Sequence, residues 1–428
     1  MPTSRKKLGA LSLAALGVNT IVGAGIFRLP AELARDLGPM SIFAHALGAL
    51  LLVPIALSYA EAGGMLEGDG GAYLYSRVTL GRRAAFVVGW SMWLATVLTM
   101  AVAAIAVPGQ LAELVPALAR HDAEVACGVA VVLGLGAANA FDIRAGSLTS
   151  NAFAILKIAP LVLLAAVGVL AVRGGALTPF APRGLGAMGP ALLPVIFALS
   201  GFESCATPAG MAARPGRDVP RAVLGSILGA ALLYMALQLV TVALVPGLGA
   251  SDRPLADAAR ALGGNAAASA TSIVGACSLL GLTAAMAFVA PPLLAVLGED
   301  GHLPHWTARR SPNGALPNAA IVSTAVTALL VLVLDFRKLV DFTSVIMIVQ
   351  YLATCVAVIV LRRTRPDAAR AVRLPFGSTV PLAGAAVLAW LLAQARLVEL
   401  ALSAAAMAAG AILAVAYAYG AKTRRGTP

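Results

Sequence analysis

The feature that most constrains this chain is the spacing of its charges. Apolar runs of ~20 residues with almost no ionisable side chain recur from one end to the other, each long enough to cross a hydrocarbon core of ~30 Å. In a bilayer every backbone polar group must be satisfied within the protein, so such runs become helices. Of the 428 residues 60% are apolar and 12% charged, against about 25% charged in soluble domains. The expectation is an all-α membrane protein of twelve transmembrane helices, near 8–35, 40–66, 82–112, 123–141, 150–172, 187–212, 221–246, 266–297, 318–335, 339–361, 378–395 and 397–420. The longest connections, near 247–265 and 298–317, leave no room for a soluble domain, so 1–428 reads as one transmembrane domain.

The net charge of +12 does not point to nucleic acid, because the basic residues are dispersed through short loops, where they act as topology determinants. With the N-terminus inside, the larger share falls on the cytoplasmic side: Arg5, Lys6, Lys7, Arg77, Arg82, Arg83, Arg144, Arg214, Arg217, Arg221, Arg309, Arg310, Arg362, Arg363, Arg365, Arg370, Arg373, Lys422, Arg424 and Arg425. Both termini are therefore expected in the cytoplasm. High Ala, Gly and Arg usage suggests a GC-rich bacterial genome, hence a bacterial cytoplasmic (inner) membrane. The basic start followed by an apolar run also fits a signal peptide. That run, however, is long and has no Ala-x-Ala exit before Pro30, so it is read as a retained first span. Cys127, Cys205, Cys277 and Cys355 lie singly inside expected spans, and His45, His121, His302 and His305 make no metal-ligand pattern. Neither disulfide, metal nor cofactor is expected.

Two spans are badly built as continuous helices. In the first, Gly17-Val18-Asn19-Thr20-Ile21-Val22-Gly23-Ala24-Gly25-Ile26-Phe27-Arg28-Leu29-Pro30 places Gly23 and Gly25 around a residue with only a methyl side chain. Interior glycine costs a helix about 1 kcal/mol relative to alanine. A break here would bare amide groups at the start of a half-helix, which suits a carboxylate. The same glycines also suit close packing of two helices. In the sixth span, Phe197-Ala198-Leu199-Ser200-Gly201-Phe202-Glu203-Ser204 sets glycine, serine and a carboxylate inside an apolar run. Interruptions five spans apart are the pattern of an inverted five-plus-five repeat whose broken helices meet at the midplane. The repeats are placed at 1–172 and 187–361, followed by two additional helices at 378–420.

At these segments the chain resembles the amino acid–polyamine–organocation (APC) transporter superfamily, which has a LeuT-like fold. Gly23-Ala24-Gly25-Ile26-Phe27 with Pro30 is similar to its first-helix motif, and Gly70-Gly71-Ala72-Tyr73-Leu74-Tyr75 with Gly81 and Gly89-Trp90 to its 2–3 loop. Gly201-Phe202-Glu203-Ser204 with Arg217-Asp218-Val219-Pro220-Arg221-Ala222 resembles its helix 6 signature. Asp300-Gly301-His302-Leu303-Pro304 and Leu361-Arg362-Arg363-Thr364-Arg365-Pro366-Asp367 resemble the loops after helices 8 and 10. The resemblance implies secondary transport of amino acids by alternating access. It places the substrate α-carboxylate on the amides of Gly23, Ala24 and Gly25, and the ammonium near the carbonyls of Ile21, Phe197 and Ser200, beside Gly201. Phe197 matches the aromatic that closes over substrate. Position counting puts Met100 and Met286 on the side-chain pocket, which would then be apolar and adaptable; both also serve as ordinary core methionines. An apolar pocket implies neutral amino acids.

Two charges stand inside expected spans. A cation within a span costs at least ~2.5–3.5 kcal/mol on insertion scales and usually faces a cavity or a partner. Lys157 matches a helix 5 lysine that replaces sodium in some APC transporters, which implies proton coupling without sodium; the other reading is a lysine snorkelling to the cytoplasmic face. Glu203 matches the helix 6 glutamate beneath the substrate, either gating or anchoring the break. Glu61, Glu113, Asp335, Asp341 and Glu399 lie near span ends and are read as solvated caps. Pro291 and Pro292 are expected to interrupt helix 8, and Glu299 replaces a basic residue of the family pattern. No paired catalytic groups occur at membrane depth, which argues against an enzyme. Exchange or export, polyamine transport, a channel and a non-transporting nutrient receptor stay open beside amino acid uptake. The expected partners are an amino acid substrate, the proton and the lipid bilayer, and the sequence gives no oligomeric state.

Overall fold

A computed structural model describes residues 9–66, 70–141, 150–173, 177–206, 214–366, 370, 372, 374 and 376–425. Among them there is no strand. The α-helices, in chain order, are α1 (Ala10–Ile21), α2 (Gly25–Leu37), α3 (Ser41–Met65), α4 (Ala72–Thr79), α5 (Arg82–Leu111), α6 (His121–Phe141), α7 (Ser150–Ala171), α8 (Met188–Ala198), α9 (Glu203–Ala206), α10 (Pro215–Leu244), α11 (Pro254–Glu299), α12 (Pro317–Val333), α13 (Phe336–Thr364), α14 (Thr379–Gln394) and α15 (Leu397–Arg425). Among the described residues eight helical stretches are long and apolar enough to cross a membrane, and four shorter apolar helices accompany them. Arg5, Lys6, Lys7, Arg144, Asp367 and Arg373, used above for topology and motif, lie outside the described residues.

The chain divides into two compact units, each assembled from separated stretches. The first comprises Met1–Ala85, Leu161–Pro254 and Ile348–Gln394, and the second Phe86–Pro160, Leu255–Met347 and Ala395–Pro428. In the first, α10 packs along α1 and α3, while α8 lies against α2 and α3. Its core is apolar, with Phe27, Leu52, Ile55, Phe202 and Tyr351 wholly withdrawn from solvent. In the second, α6 packs against α12. There the Trp90 indole donates to the Ala406 carbonyl of α15 at 2.9 Å, and the Trp93 indole to Ser323 of α12 at 3.0 Å. These bonds satisfy the polar tips of side chains that otherwise contribute apolar area.

Several sequence expectations need correction. Pro291 and Pro292 do not interrupt their helix: α11 runs through both, and its non-helical residues are Gly263 and Gly264. A proline removes one amide donor and crowds the carbonyl four residues earlier, but other groups within a membrane protein can absorb that loss. At Gly264, by contrast, φ is +70°, a conformation that turns the chain and ends the ladder. The 254–262 part of α11 thus falls in what was expected to be an irregular connection.

Four of the acidic residues taken for solvated caps are buried partners of arginine. Glu61 receives Nε and Nη2 of Arg362 at 2.7 and 2.5 Å, its side chain 0% and that of Arg362 9% exposed. Glu113 holds Arg260 at 2.6 Å. Asp341 is flanked by Arg337 at 3.8 Å and Arg396 at 3.9 Å, and Arg396 also binds Glu399 at 3.2 Å. Apolar counting at span ends misses this, because a bidentate guanidinium lets a carboxylate leave water. Asp335 is half-exposed beside Lys338, as a cap should be.

Candidate functional site

The helix that opens the chain is broken where the glycines predicted it. α1 ends at Ile21, Val22 to Ala24 form bends, and α2 starts at Gly25. The sixth segment breaks likewise: α8 ends at Ala198, a turn covers 199–202, and α9 begins at Glu203. Gly201 in this turn has φ +110°, a region that side chains other than hydrogen rarely occupy.

Both breaks belong to the first unit, and they touch. A Cβ placed on Gly201 would lie 2.9 Å from the Thr20 carbonyl carbon and 3.0 Å from the Ile21 amide nitrogen. One placed on Gly25 would lie 2.9 Å from Ala198 Cβ and 3.0 Å from its Cα. Backbone therefore meets backbone at Gly201 and meets Ala198 at Gly25, and a side chain at either position would force its neighbours to shift. This close approach explains why both interrupted segments carry glycine, and it leaves main-chain polar groups as the chemistry of the junction.

Those groups are partly engaged. The Phe197 carbonyl accepts from Ser200 N at 3.1 Å and from Ser200 Oγ at 2.7 Å. The Ile21 carbonyl accepts from the Tyr234 hydroxyl at 2.9 Å, and that hydroxyl lies within reach of the Gly23 amide. The Glu203 carboxylate accepts from the Gly201 amide at 3.0 Å, and the Tyr351 hydroxyl faces it. It thereby caps the turn that precedes its own short helix. Around it Tyr59, Phe202 and Tyr351 pack edge-on or tilted, with ring centroids 5.5–5.9 Å apart.

The structure thus brings Ile21, Gly23, Ala24, Gly25, Phe197, Ser200, Gly201 and Glu203 together in one unit. Ala24 and Phe197 are buried there, and Gly23, Ser200 and Glu203 are half-buried. Met100, Met286 and Lys157 belong to the second unit. Met100 is fully buried on α5, with Thr327 Oγ1 of α12 at 3.7 Å from its sulfur. Met286 on α11 and Lys157 on α7 are half-buried. Sequence reasoning missed Tyr234 and Tyr351. The signal for Tyr234 was legible, since Tyr234 and Gln238 are a polar pair four residues apart in the apolar stretch 227–240 of α10.

Many apolar helices, two of them interrupted and in contact at their breaks, define a multi-pass integral membrane protein. The chain belongs to the amino acid permease family, whose sequence profile matches residues 8–419. It is a transport protein rather than an enzyme. It is 26% identical over 397 residues to the branched-chain amino acid permease BcaP of Bacillus subtilis, covering 88% of this chain and 85% of that protein. To the methylthioribose transporter of the same organism it is 24% identical over 403 residues, covering 90% and 87%. An uncharacterized transporter of Mycobacterium tuberculosis is 31% identical over 358 residues, covering 81% of this chain and 78% of the relative.

Proposed function

We propose that this protein carries neutral amino acids across a bacterial cytoplasmic membrane by alternating access, coupled to protons and independent of sodium. In this reading twelve spans form an inverted five-plus-five repeat at 1–172 and 187–361, with two further helices at 378–420 and both termini in the cytoplasm. The observation that carries it is the junction of the two helix breaks at Gly25–Ala198 and Gly201–Thr20. The makeup of the two units supports the repeat, because each of them draws helices from both halves of the chain, the first from 1–85 and 161–254 and the second from 86–160 and 255–347 among its three stretches. The α-carboxylate sits at the start of α2, on Ala24 and Gly25 with Gly23 alongside, where a helix N-terminus favours an anion. The α-ammonium lies near the carbonyls of Ile21, Phe197 and Ser200, taking over one of the hydrogen bonds that the Phe197 carbonyl accepts from Ser200. Phe197 covers the site. Lys157 supplies the positive charge that makes sodium unnecessary, and Glu203 ties the sixth-segment turn to the gate.

The branched-chain specificity in the name of one relative supports neutral substrates. The name of the methylthioribose transporter favours a second, wider substrate reading. Uptake and counterflow in proteoliposomes test both, using labelled neutral, cationic and acidic amino acids and methylthioribose. The assays run without sodium, with and without an imposed pH gradient. Gradient-driven accumulation of neutral amino acids is expected. Counterflow without accumulation makes the protein an exchanger, and transport of methylthioribose alone overturns the amino acid reading.

A further inference from the structure

The break in the first helix is fastened to one face of α10. In Leu232-Leu233-Tyr234-Met235-Ala236-Leu237-Gln238 two polar side chains stand four residues apart, hence on the same side of the helix. Both are fully buried. The Tyr234 hydroxyl donates to the Ile21 carbonyl at 2.9 Å and lies within reach of the Gly23 amide. The hydroxyl thus takes up the last carbonyl of α1 beside the gap. Gln238 Nε2 donates to the Pro30 carbonyl of α2 at 3.0 Å and to Ser41 Oγ at the start of α3 at 2.9 Å. Ser41 in turn donates to the Gly38 carbonyl beyond the end of α2. Tyr234 therefore holds the half-helix before the gap and Gln238 the half-helix after it. The buried His45 ring of α3 stands edge-on to the Tyr234 ring, centroids 5.5 Å apart, and fixes its rotation.

Val22 to Ala24 form bends whose outer groups still join the flanking helices, Val22 N donating to the Val18 carbonyl at 2.9 Å and the Ala24 carbonyl accepting from Phe27 N at 3.3 Å, so the torsions within the gap follow from how the two half-helices are held. An amide donates well only within a narrow cone. A gap whose ends drift apart keeps its residues and loses the aim of its amides.

We propose that Tyr234 and Gln238 are positioning residues for recognition of the amino acid α-carboxylate: they fix the separation of the two half-helices, and so aim the Ala24 and Gly25 amides. The proposal rests on the reading of this gap as the carboxylate site. Simple helix–helix anchoring would change stability and would change affinity for every ligand alike. Positioning changes the discrimination between an amino acid and its α-amide, which share a side chain and differ in the group the amides meet.

The test measures binding of leucine and leucinamide to the purified full-length protein, alongside its thermal stability, for the unaltered chain, Tyr234→Phe and Gln238→Met. Tyr234→Phe keeps the ring against His45 and removes only the hydroxyl; Gln238→Met keeps the length and removes the donor. The expected result is about tenfold weaker leucine binding in each variant with leucinamide binding unchanged, so that the ratio of the two affinities falls by the same factor. If either variant melts too early to assay, the other decides. Equal loss for both ligands, or a fall in melting temperature with the ratio preserved, overturns the positioning role. An unaltered protein that binds leucine and leucinamide alike, or binds neither, overturns instead the carboxylate reading beneath it.

Discussion

Replacing Gly201 by alanine separates two effects that glycine usually confounds, conformational freedom and lack of bulk. The residue holds φ +110°, and a side chain in a sparsely populated region costs about 1–3 kcal/mol. The added methyl would also lie 2.9 Å from the Thr20 carbonyl carbon, well inside the ~3.5–4.0 Å optimum for carbon contacts. Its neighbours there are main-chain atoms of the other break, which cannot rotate aside, so overpacking adds about 1–3 kcal/mol. The sum is about 2–6 kcal/mol. The atoms that must yield are those that form the junction, so part of this strain appears as lost substrate affinity, where 1.4 kcal/mol is about tenfold. The matched control is Gly247→Ala. Gly247 has φ +67° with nothing within 4 Å of its hypothetical Cβ, so the conformational cost of about 1–2 kcal/mol remains and the clash does not. Substrate binding and uptake in proteoliposomes, with melting curves for both variants, are the assay. Gly201→Ala is expected to bind at least about tenfold more weakly than Gly247→Ala. Equal binding and uptake in the two variants would refute contact between the breaks as the reason for glycine.

Ala24→Leu is expected to abolish amino acid binding while the protein still inserts, because buried Ala24 is the N-cap of the half-helix whose amides are proposed to hold the carboxylate; normal binding by a folded variant would sink that assignment. Lys157→Ala is expected to remove proton-driven accumulation in vesicles and to retain counterflow; accumulation at the parental level would make Lys157 a snorkelling lysine. Glu61→Gln leaves the Arg362 guanidinium buried without its bidentate partner, which lowers stability by about 3–5 kcal/mol. Adding Arg362→Met should recover most of that loss, and melting points of the single and double variants that simply add would show the pair to be uncoupled.

How much of this was legible follows from what each signal measures. The helix breaks were readable because glycine acts locally: Gly23, Gly25 and Gly201 weaken any helix they enter, and the chain breaks at 22–24 and 199–202. Hydropathy found the apolar helices because each must satisfy its own backbone. Pairing across the fold was not readable. Glu61 and Arg362 are 301 positions apart, and no local pattern distinguishes a carboxylate that faces water from one that faces a guanidinium. Tyr234 and Gln238 lie between those cases. Their spacing marks a polar face on α10 but says nothing of its partner, and only the fold shows it holding Ile21 and Pro30. A backbone-built site has this consequence generally. The residues that touch ligand are recognised by what they lack, the Cβ of glycine or the bulk of alanine. The residues that hold them in place are polar side chains elsewhere in the chain, whose role appears only once their hydrogen-bond partners are known. On the carboxylate reading proposed above, variation among relatives at Tyr234 and Gln238 is expected to track the discrimination between an amino acid and its α-amide.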